Sequence, residues 1–304
     1  MNKGRALVFG GSGFLGSHLV DALSSDGYDV IVYDRVTSPY LDSNQEIILG
    51  DITNVEDVEN ALKRVDYVYH YAGIADIAEA NKNPIEAVKY NILGTANILE
   101  ACVKNRIKRF LYASTVYVYS DKGGIYRSTK QASELLIENY SKLFGLDFTI
   151  LRFGSLYGSR ANSFNAVYSM IRQALVEEKI LHPGDGEEIR EYIHVKDAAR
   201  SSVDLIDDLY RNQYLVLTGM DSIRIKDLIR MITEMLEVDV DVECLNEHLE
   251  GHYHITPYAF RPRVARKYIP QAQRDLGQGI LETIHDVYED INRTEGDSVI
   301  SPAE

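Results

Sequence analysis

A stretch of eleven residues near the amino terminus, Ala6 to Gly16 (ALVFGGSGFLG), constrains this chain more than any other. Ala6-Leu7-Val8-Phe9 is a short, wholly apolar run of the kind that forms a parallel strand buried on both faces. Gly10, Gly11, Gly13 and Gly16 follow, and Leu19, Val20 and Leu23 then recur at helical spacing. Strand, glycine turn and helix together make a phosphate site. The turn reaches backbone angles that side chains forbid, and the first turn of the helix offers unpaired N–H groups and a partial positive charge. The glycines fit two registers, Gly11-x-Gly13-x-x-Gly16 and Gly10-x-x-Gly13-x-x-Gly16. Either pattern alone is a weak signal. Between a strand and a helix it predicts a dinucleotide-binding βαβ unit, and this outweighs the reading as a glycine-rich surface turn.

The stretch Tyr28 to Asp34 reads as a second apolar strand, ending on an acid 18 residues after Gly16. A carboxylate at that place binds the adenosine ribose hydroxyls and repels a 2′-phosphate, so Asp34 favours NAD over NADP. Arg35, next door, is the one feature that would reverse this preference. Further strands are read at Ile47–Leu49, Tyr67–His70, Phe110–Ala113 and Phe148–Arg152, alternating with helices at Val55–Arg64, Ile85–Lys104 and Tyr126–Phe144. This β-α rhythm predicts an α/β fold, a Rossmann-type doubly wound parallel sheet. After Gly158 the rhythm loosens into a helix at Phe164–Glu178, a turn cluster at His182–Gly186, a short strand at Tyr192–Val195 and a helix at Ile225–Leu236. The expected organisation is an NAD-binding domain over residues 1–160 and a smaller, mainly substrate-binding C-terminal region over 161–304. A segment near 187–220 is expected to return to the first domain, and residues from about Arg293 onward to fray.

Composition narrows the partners. Asp and Glu number 46 against 32 Lys and Arg, a net charge of -14, which argues against nucleic acid or an anionic membrane as the main partner. A local basic site for a phosphorylated ligand is compatible with that balance. The two cysteines, Cys102 and Cys244, match no metal spacing, and Cys102 sits in a helical pattern as a core residue. No metal centre is expected. No signal-peptide pattern precedes the first strand and no apolar run approaches membrane-spanning length, so a cytoplasmic location is expected.

Tyr126 and Lys130, four residues apart in a helical pattern, lie on one face about 5–6 Å apart. A phenol titrates near 10 in water, too high for a base at neutral pH, and a neighbouring ammonium together with a cationic nicotinamide ring favours its phenolate. Tyr-x-x-x-Lys occurs a second time, at Tyr192 and Lys196. That copy begins in a strand pattern, where four residues span about 13 Å, so its members cannot cooperate. Ser114 and Thr115 end the Phe110 strand at the carboxyl edge, where an open α/β sheet places its ligands. A hydroxyl there is more often a cap, but beside Tyr126 and Lys130 it is read as the group that holds a substrate oxygen.

These motifs together resemble the extended short-chain dehydrogenase/reductase family, and within it the NAD-dependent epimerase/dehydratase enzymes of nucleotide sugars, UDP-galactose 4-epimerase among them. The resemblance spans roughly Lys3 to Asn292. It implies NAD as cofactor, held by Gly10, Gly13, Phe14, Leu15 and Gly16 at the turn and by Asp34 and Arg35 at the ribose. Asp51 and Ile52 look like the pair beside adenine, and Tyr71, Ala72, Gly73 and Asn91 like the segments along the cofactor. It puts Thr115, Tyr126 and Lys130 at the catalytic positions, with Thr115 and Tyr126 on the sugar and Tyr126 and Lys130 also on the cofactor. Arg190 and Arg261 are similar to the arginines that hold the nucleotide diphosphate. The partners implied are a nucleotide-diphosphate sugar and a second copy of the chain, paired through the Ile85–Lys104 and Tyr126 helices.

The departures from the family are informative. Only 11 residues separate Thr115 from Tyr126, where the family has a longer loop over the sugar, so an unusually open pocket is expected. Ser155 stands where Asn is common, and no acid follows Arg261-Pro262-Arg263. Val116 and Tyr117 stand where 4,6-dehydratases carry an Asp-Glu pair, and the glutamate that decarboxylases tend to carry near here is missing. The resemblance therefore implies an NAD-dependent nucleotide-sugar epimerase acting at C4. The alternatives are a keto-sugar reductase or dehydrogenase with the same three residues, and a non-catalytic NAD sensor. A sensor needs only the glycine turn and Asp34, so the intact Thr115, Tyr126 and Lys130 argue against it.

Overall fold

The computed structural model describes residues 3–236, 239–245, 251–258 and 265–298, with side chains as far as Arg293. In chain order its strands are β1 (Arg5–Phe9), β2 (Asp29–Asp34), β3 (Glu46–Leu49), β4 (Tyr67–His70), β5 (Arg109–Thr115), β6 (Phe148–Phe153) and β7 (Ser155–Tyr157). Then come β8 (Lys179–His182), β9 (Ile189–His194), β10 (Gln213–Leu217), β11 (Ser222–Arg224), β12 (Asp241–Cys244) and β13 (Arg266–Lys267). Eight of them form one all-parallel sheet in the order β13-β10-β6-β5-β4-β1-β2-β3. From β1 the chain winds outward to β3, then returns to β4 on the other side. The carboxyl ends of β1 and β4 therefore flank a switch point, the crevice in which sheets of this type bind ligands.

Both faces of the sheet are buried, which is why its strands read as continuous apolar runs. Alternate residues serve opposite layers. Leu7, Phe9, Ile31, Tyr33, Phe110 and Tyr112 pack with Val58, Ile98, Leu99, Cys102 and Ile137 on one side. On the other, Ala6, Val8, Val30, Val32 and Leu111 pack with Leu19, Val20, Leu23, Ala199 and Val203. Each large side chain so buried contributes about 1.5–3 kcal/mol. Burial also pushes the Cys102 thiol well up, in keeping with a core residue.

The chain divides into two units. The first comprises Met1–Gly154, Lys196–Thr218 and Gly251–Pro270 and contains the whole eight-stranded sheet. The second comprises Ser155–Val195, Gly219–Glu250 and Gln271–Glu304. It holds a three-stranded sheet, β11-β9-β7, and a β12-β8 pair. Its core gathers Val167, Ile171, Leu228, Ile229, Ile232 and Ile280 from helices Ala166–Glu177, Ile225–Leu236 and Leu276–Ser298.

Four expectations are corrected. The helix read at Ile85–Lys104 is three pieces, α-helical at Pro84–Ala87 and Gly94–Lys104 with a π-helical turn over Val88–Leu93 between them. The Asn91 carbonyl in that turn also accepts the Thr95 and Ser133 hydroxyls at 2.6 and 2.7 Å. The strand read at Tyr192–Val195 is the longer β9, extended by antiparallel pairing of Ile189, Arg190 and Glu191 with β11. The last helix runs on past Arg293 to Ser298, and residues 299–304, also expected to fray, lie outside the described residues. The turn after Thr115 is covered: Gly123 N–H donates to the Gly251 carbonyl at 2.8 Å, and the Tyr117 ring lies 4.6 Å from that of Tyr253. Among the described residues no helix is long and apolar enough to cross a membrane.

Candidate active site

The glycine turn follows β1 at the switch point. Gly10 has φ +81°, and a Cβ there would stand 2.6 Å from the Ala72 nitrogen. A Cβ on Gly16 would stand 2.0 Å from the Gly10 carbonyl oxygen. The Gly10/Gly13/Gly16 register is thus the one the backbone requires. Gly13 caps the helix Phe14–Ser25, which has no side-chain cap and no acid in its first turn. The amides at Phe14 and Leu15 are in the chemical setting that an anion completes.

Beside the turn lies a cavity of about 190 Å³ lined by Gly10, Gly13, Tyr33, Asp34, Arg35, Gly50, Ile52, Tyr71, Ala72, Gly73, Ile74 and Tyr90. Backbone amides hold the Asp34 carboxylate in place, Ser12 N–H at 3.0 Å on one oxygen and Arg35 N–H at 2.7 Å on the other. The Arg35 guanidinium turns to the Tyr90 ring, 4.8 Å from its centre. Asp51 differs from its neighbours: its carboxylate accepts the Thr53 amide and hydroxyl, both at 2.8 Å, while Gly50 and Ile52 line the cavity. Burial pushes Asp51 up, but those bonds and the charges of Arg35 and Lys89 outweigh it and lower its pKa. Asn91 clamps the chain after Gly73, accepting Ile74 N–H at 2.8 Å and donating to the Ile74 carbonyl at 3.0 Å. Its amide also donates to Thr129 Oγ1 at 2.9 Å, which ties this segment to the next helix. Glycines against the backbone, an uncapped helix start and a preset carboxylate fit a dinucleotide.

The helix Gly124–Phe144 lies against β5, two strands from β1. Thr115 ends β5, and its Oγ1 accepts Tyr117 N–H at 3.2 Å. Tyr126 and Lys130, on adjoining turns of the helix, are both buried. Lys130 Nζ donates to the Ala113 carbonyl at 2.8 Å and lies 4.8 Å from the Tyr112 ring centre and 5.9 Å from that of Tyr126. Burial dominates the electrostatics. It holds the Tyr126 phenol up at about 12, although hydrogen bonding with Thr115 pulls the other way. It also brings the Lys130 ammonium down to about 8, with Glu134 opposing. Lys130 is not among the causes of the Tyr126 shift, so in the chain by itself burial sets the direction.

Arg190 sits on β9 in the second unit, buried, with Nη1 donating to the Ile189 carbonyl at 3.1 Å. Arg261 lies outside the described residues. Tyr192 is in the strand β9, as its pattern predicts, and Lys196 in the helix Val195–Asp204. Sequence reasoning missed Tyr33, Gly50, Ile74 and Tyr90 as lining residues. The signal for Tyr90 was its place directly before Asn91. No His, Cys, Asp and Glu cluster among the described residues is arranged to hold a metal ion.

A parallel sheet with a nucleotide cradle at its switch point and a buried Tyr-Lys pair two strands away defines a dinucleotide-dependent enzyme class. Residues 6–214 match the model of the NAD dependent epimerase/dehydratase family, and the chain belongs to that family. NAD is the family's cofactor and nucleotide sugars are its substrates. The chain is 30% identical over 218 residues to a putative UDP-glucose 4-epimerase of Methanocaldococcus jannaschii, covering 65% of this chain and 72% of that one. It is 29% identical over 260 residues to a UDP-N-acetyl-alpha-D-glucosaminuronate decarboxylase of Bacillus cytotoxicus, covering 77% and 80%. The structure superposes with a TM-score of 0.83 on a mutant UDP-glucuronic acid 4-epimerase of Bacillus cereus, solved with a fluorinated UDP-glucuronic acid and NAD. That match is 26% identical and covers 94% of this chain and 99% of the other.

Proposed function

We propose that this protein is an NAD-dependent nucleotide-sugar epimerase acting at C4, with Tyr126 as its base. The observation that supports the reading is the placing of buried Tyr126 and Lys130, on adjoining turns of one helix, against the end of β5 that bears Thr115, in the sheet that also bears the glycine turn. NAD, when bound, supplies a hydride acceptor for the sugar carbon and a cationic ring beside the phenol. Tyr126 takes the proton of the C4 hydroxyl and later returns it. Thr115 bonds the same oxygen and orients it. An ammonium has three donors, so Lys130 can keep one on the Ala113 carbonyl and turn another to the nicotinamide ribose. Arg190 and Arg261 would anchor the diphosphate while the sugar turns over.

Epimerisation is favoured over decarboxylation because the turn after Thr115, Val116–Tyr119, carries no carboxylate. The test offers the purified protein UDP-glucose, UDP-N-acetylglucosamine and UDP-glucuronic acid and follows products by NMR. The C4 epimer of one of them is the expected product. Release of carbon dioxide from the uronate would make the protein a decarboxylase, accumulation of NADH a dehydrogenase, and no turnover of any sugar a sensor.

A further inference from the structure

The helix face that bears Tyr126 and Lys130 carries a third polar side chain one turn on. Glu134 is 3% exposed, and Arg152 on β6, its partner, is 0% exposed. Glu134 Oε1 accepts the Ser114 hydroxyl at 2.6 Å and Arg152 Nε at 3.0 Å, and its Oε2 accepts Arg152 Nη2 at 2.6 Å. The guanidinium is sandwiched between the Tyr119 and Tyr214 rings at 4.7 and 4.9 Å, and Nη1 donates to the Tyr119 hydroxyl. None of this takes part in the chemistry proposed above. Nor does stability account for it, because a buried ion pair is often replaced by apolar residues without loss.

Its position suggests what it does. Three successive residues of β5 address three successive turns of the helix. The Thr115 hydroxyl faces Tyr126, the Ala113 carbonyl takes Lys130, and the Ser114 hydroxyl takes Glu134. We propose that Glu134, locked by Arg152 and Ser114, is a positioning residue for Lys130: its buried carboxylate is the counter-charge of the Lys130 ammonium and fixes the helix in register on β5. This rests on the reading of Lys130 as a cofactor-facing cation. Around Lys130 stand Tyr112 and the Ala113 carbonyl from β5, His70 from β4, and Tyr126 and Glu134 from its own helix. Burial leaves His70, at about 3, and both phenols uncharged near neutral pH. Glu134 is the anion of that set.

The test is the pH dependence of NAD binding, measured by calorimetry. In the native chain, affinity should fall as Lys130 loses its proton near pH 8. In Glu134→Gln that limb should move to lower pH by about one unit or more, and Glu134→Asp, which keeps the charge, should hold it near its native place. Glu134→Gln strands a buried guanidinium and risks unfolding, so the carboxylate is also removed in an Arg152→Met background, with circular dichroism as the check on folding: the limb of Glu134→Gln/Arg152→Met should lie about one unit or more below that of Arg152→Met. A limb at the same pH in the folded double variant and in Arg152→Met overturns this proposal alone. A native affinity that is flat from about pH 7 to about pH 10 overturns the role of Lys130, and this proposal with it.

Discussion

The glycine turn after β1 and the Gly124–Phe144 helix meet the carboxyl edge of one sheet, but they are made ready for ligand in different ways. At the turn the work is done by backbone: glycines that admit no Cβ, an uncapped helix start, and a carboxylate held by two amides. Nothing there has to change its protonation. On the helix the two groups proposed to act are ionisable and buried, and burial opposes the charge the proposed roles require, raising Tyr126 to about 12 and lowering Lys130 to about 8. The first region is preorganised by geometry. The second is held under electrostatic tension that a ligand has to relieve.

Removing the Tyr126 oxygen, the proposed base, strains this contrast most. Tyr126→Phe keeps the ring and its packing, so NAD binding should survive while turnover falls roughly 10²–10⁴-fold, as for loss of a general base. Loss of NAD binding in a folded Tyr126→Phe protein would mean that the two regions are not separable.

The next effect is on stability, with a sign specific to the second region. Lys130 moves from 10.5 unfolded to about 8 folded, so the unfolded chain binds more protons between those values. Native stability should therefore rise with pH across that window, and below about pH 8 the full cost of the buried ammonium is present. Lys130→Met removes that cost. At about 1.4 kcal/mol per unit the gain at pH 7 is at most roughly 3 kcal/mol, less what the Ala113 bond returned. Urea unfolding should show the variant more stable at pH 7, with the advantage gone by about pH 10.5, and inactive throughout. A variant destabilised equally at both ends would remove the electrostatic tension from the account.

The first region should break by adding an atom. Gly16→Ala drives a methyl against the Gly10 carbonyl, and overpacking of this kind costs about 1–3 kcal/mol, read as a lower midpoint and at least tenfold weaker NAD binding. Unchanged NAD affinity would show that the turn yields easily.

Legibility in the sequence follows the same division. The β1 turn, Asp34, the end of β5 and the Tyr126–Lys130 spacing could be read because short-range rules fix them: apolar runs, glycine conformations, helical periodicity. The π-helical turn at Asn91 could not, because the contacts that hold it include the Ser133 hydroxyl on the Asn91 carbonyl, 42 residues away. The Glu134–Arg152 pair escaped for a similar reason, since a glutamate in a helix ordinarily marks a solvated face. The spacing of Tyr126 and Lys130 was legible but the direction of their pKa shifts was not, because desolvation belongs to packing. β13 joined the sheet unannounced, and β10 was foreseen only as part of a returning segment and not as a strand, both being short and outside the β-α rhythm.

The smallest effect concerns the cofactor rim, where backbone and side chain can be separated. Asp34 stands preset by amides, while the Arg35 guanidinium lies on the Tyr90 ring. If the preset carboxylate chooses the cofactor, Asp34→Asn should raise NADP affinity relative to NAD by about tenfold, near 1.4 kcal/mol, by removing the charge that repels a 2′-phosphate. The ratio is the quantity to read, because the amides around residue 34 lose part of their acceptor and both affinities should fall. Arg35→Ala should forfeit only the ring contact, about 0.5–1 kcal/mol, and leave the ratio nearly unchanged. Calorimetric titrations with both cofactors decide the matter. A larger change of ratio in Arg35→Ala than in Asp34→Asn would mean that a mobile side chain sets the choice, and the turn region would then be no more preorganised than the helix.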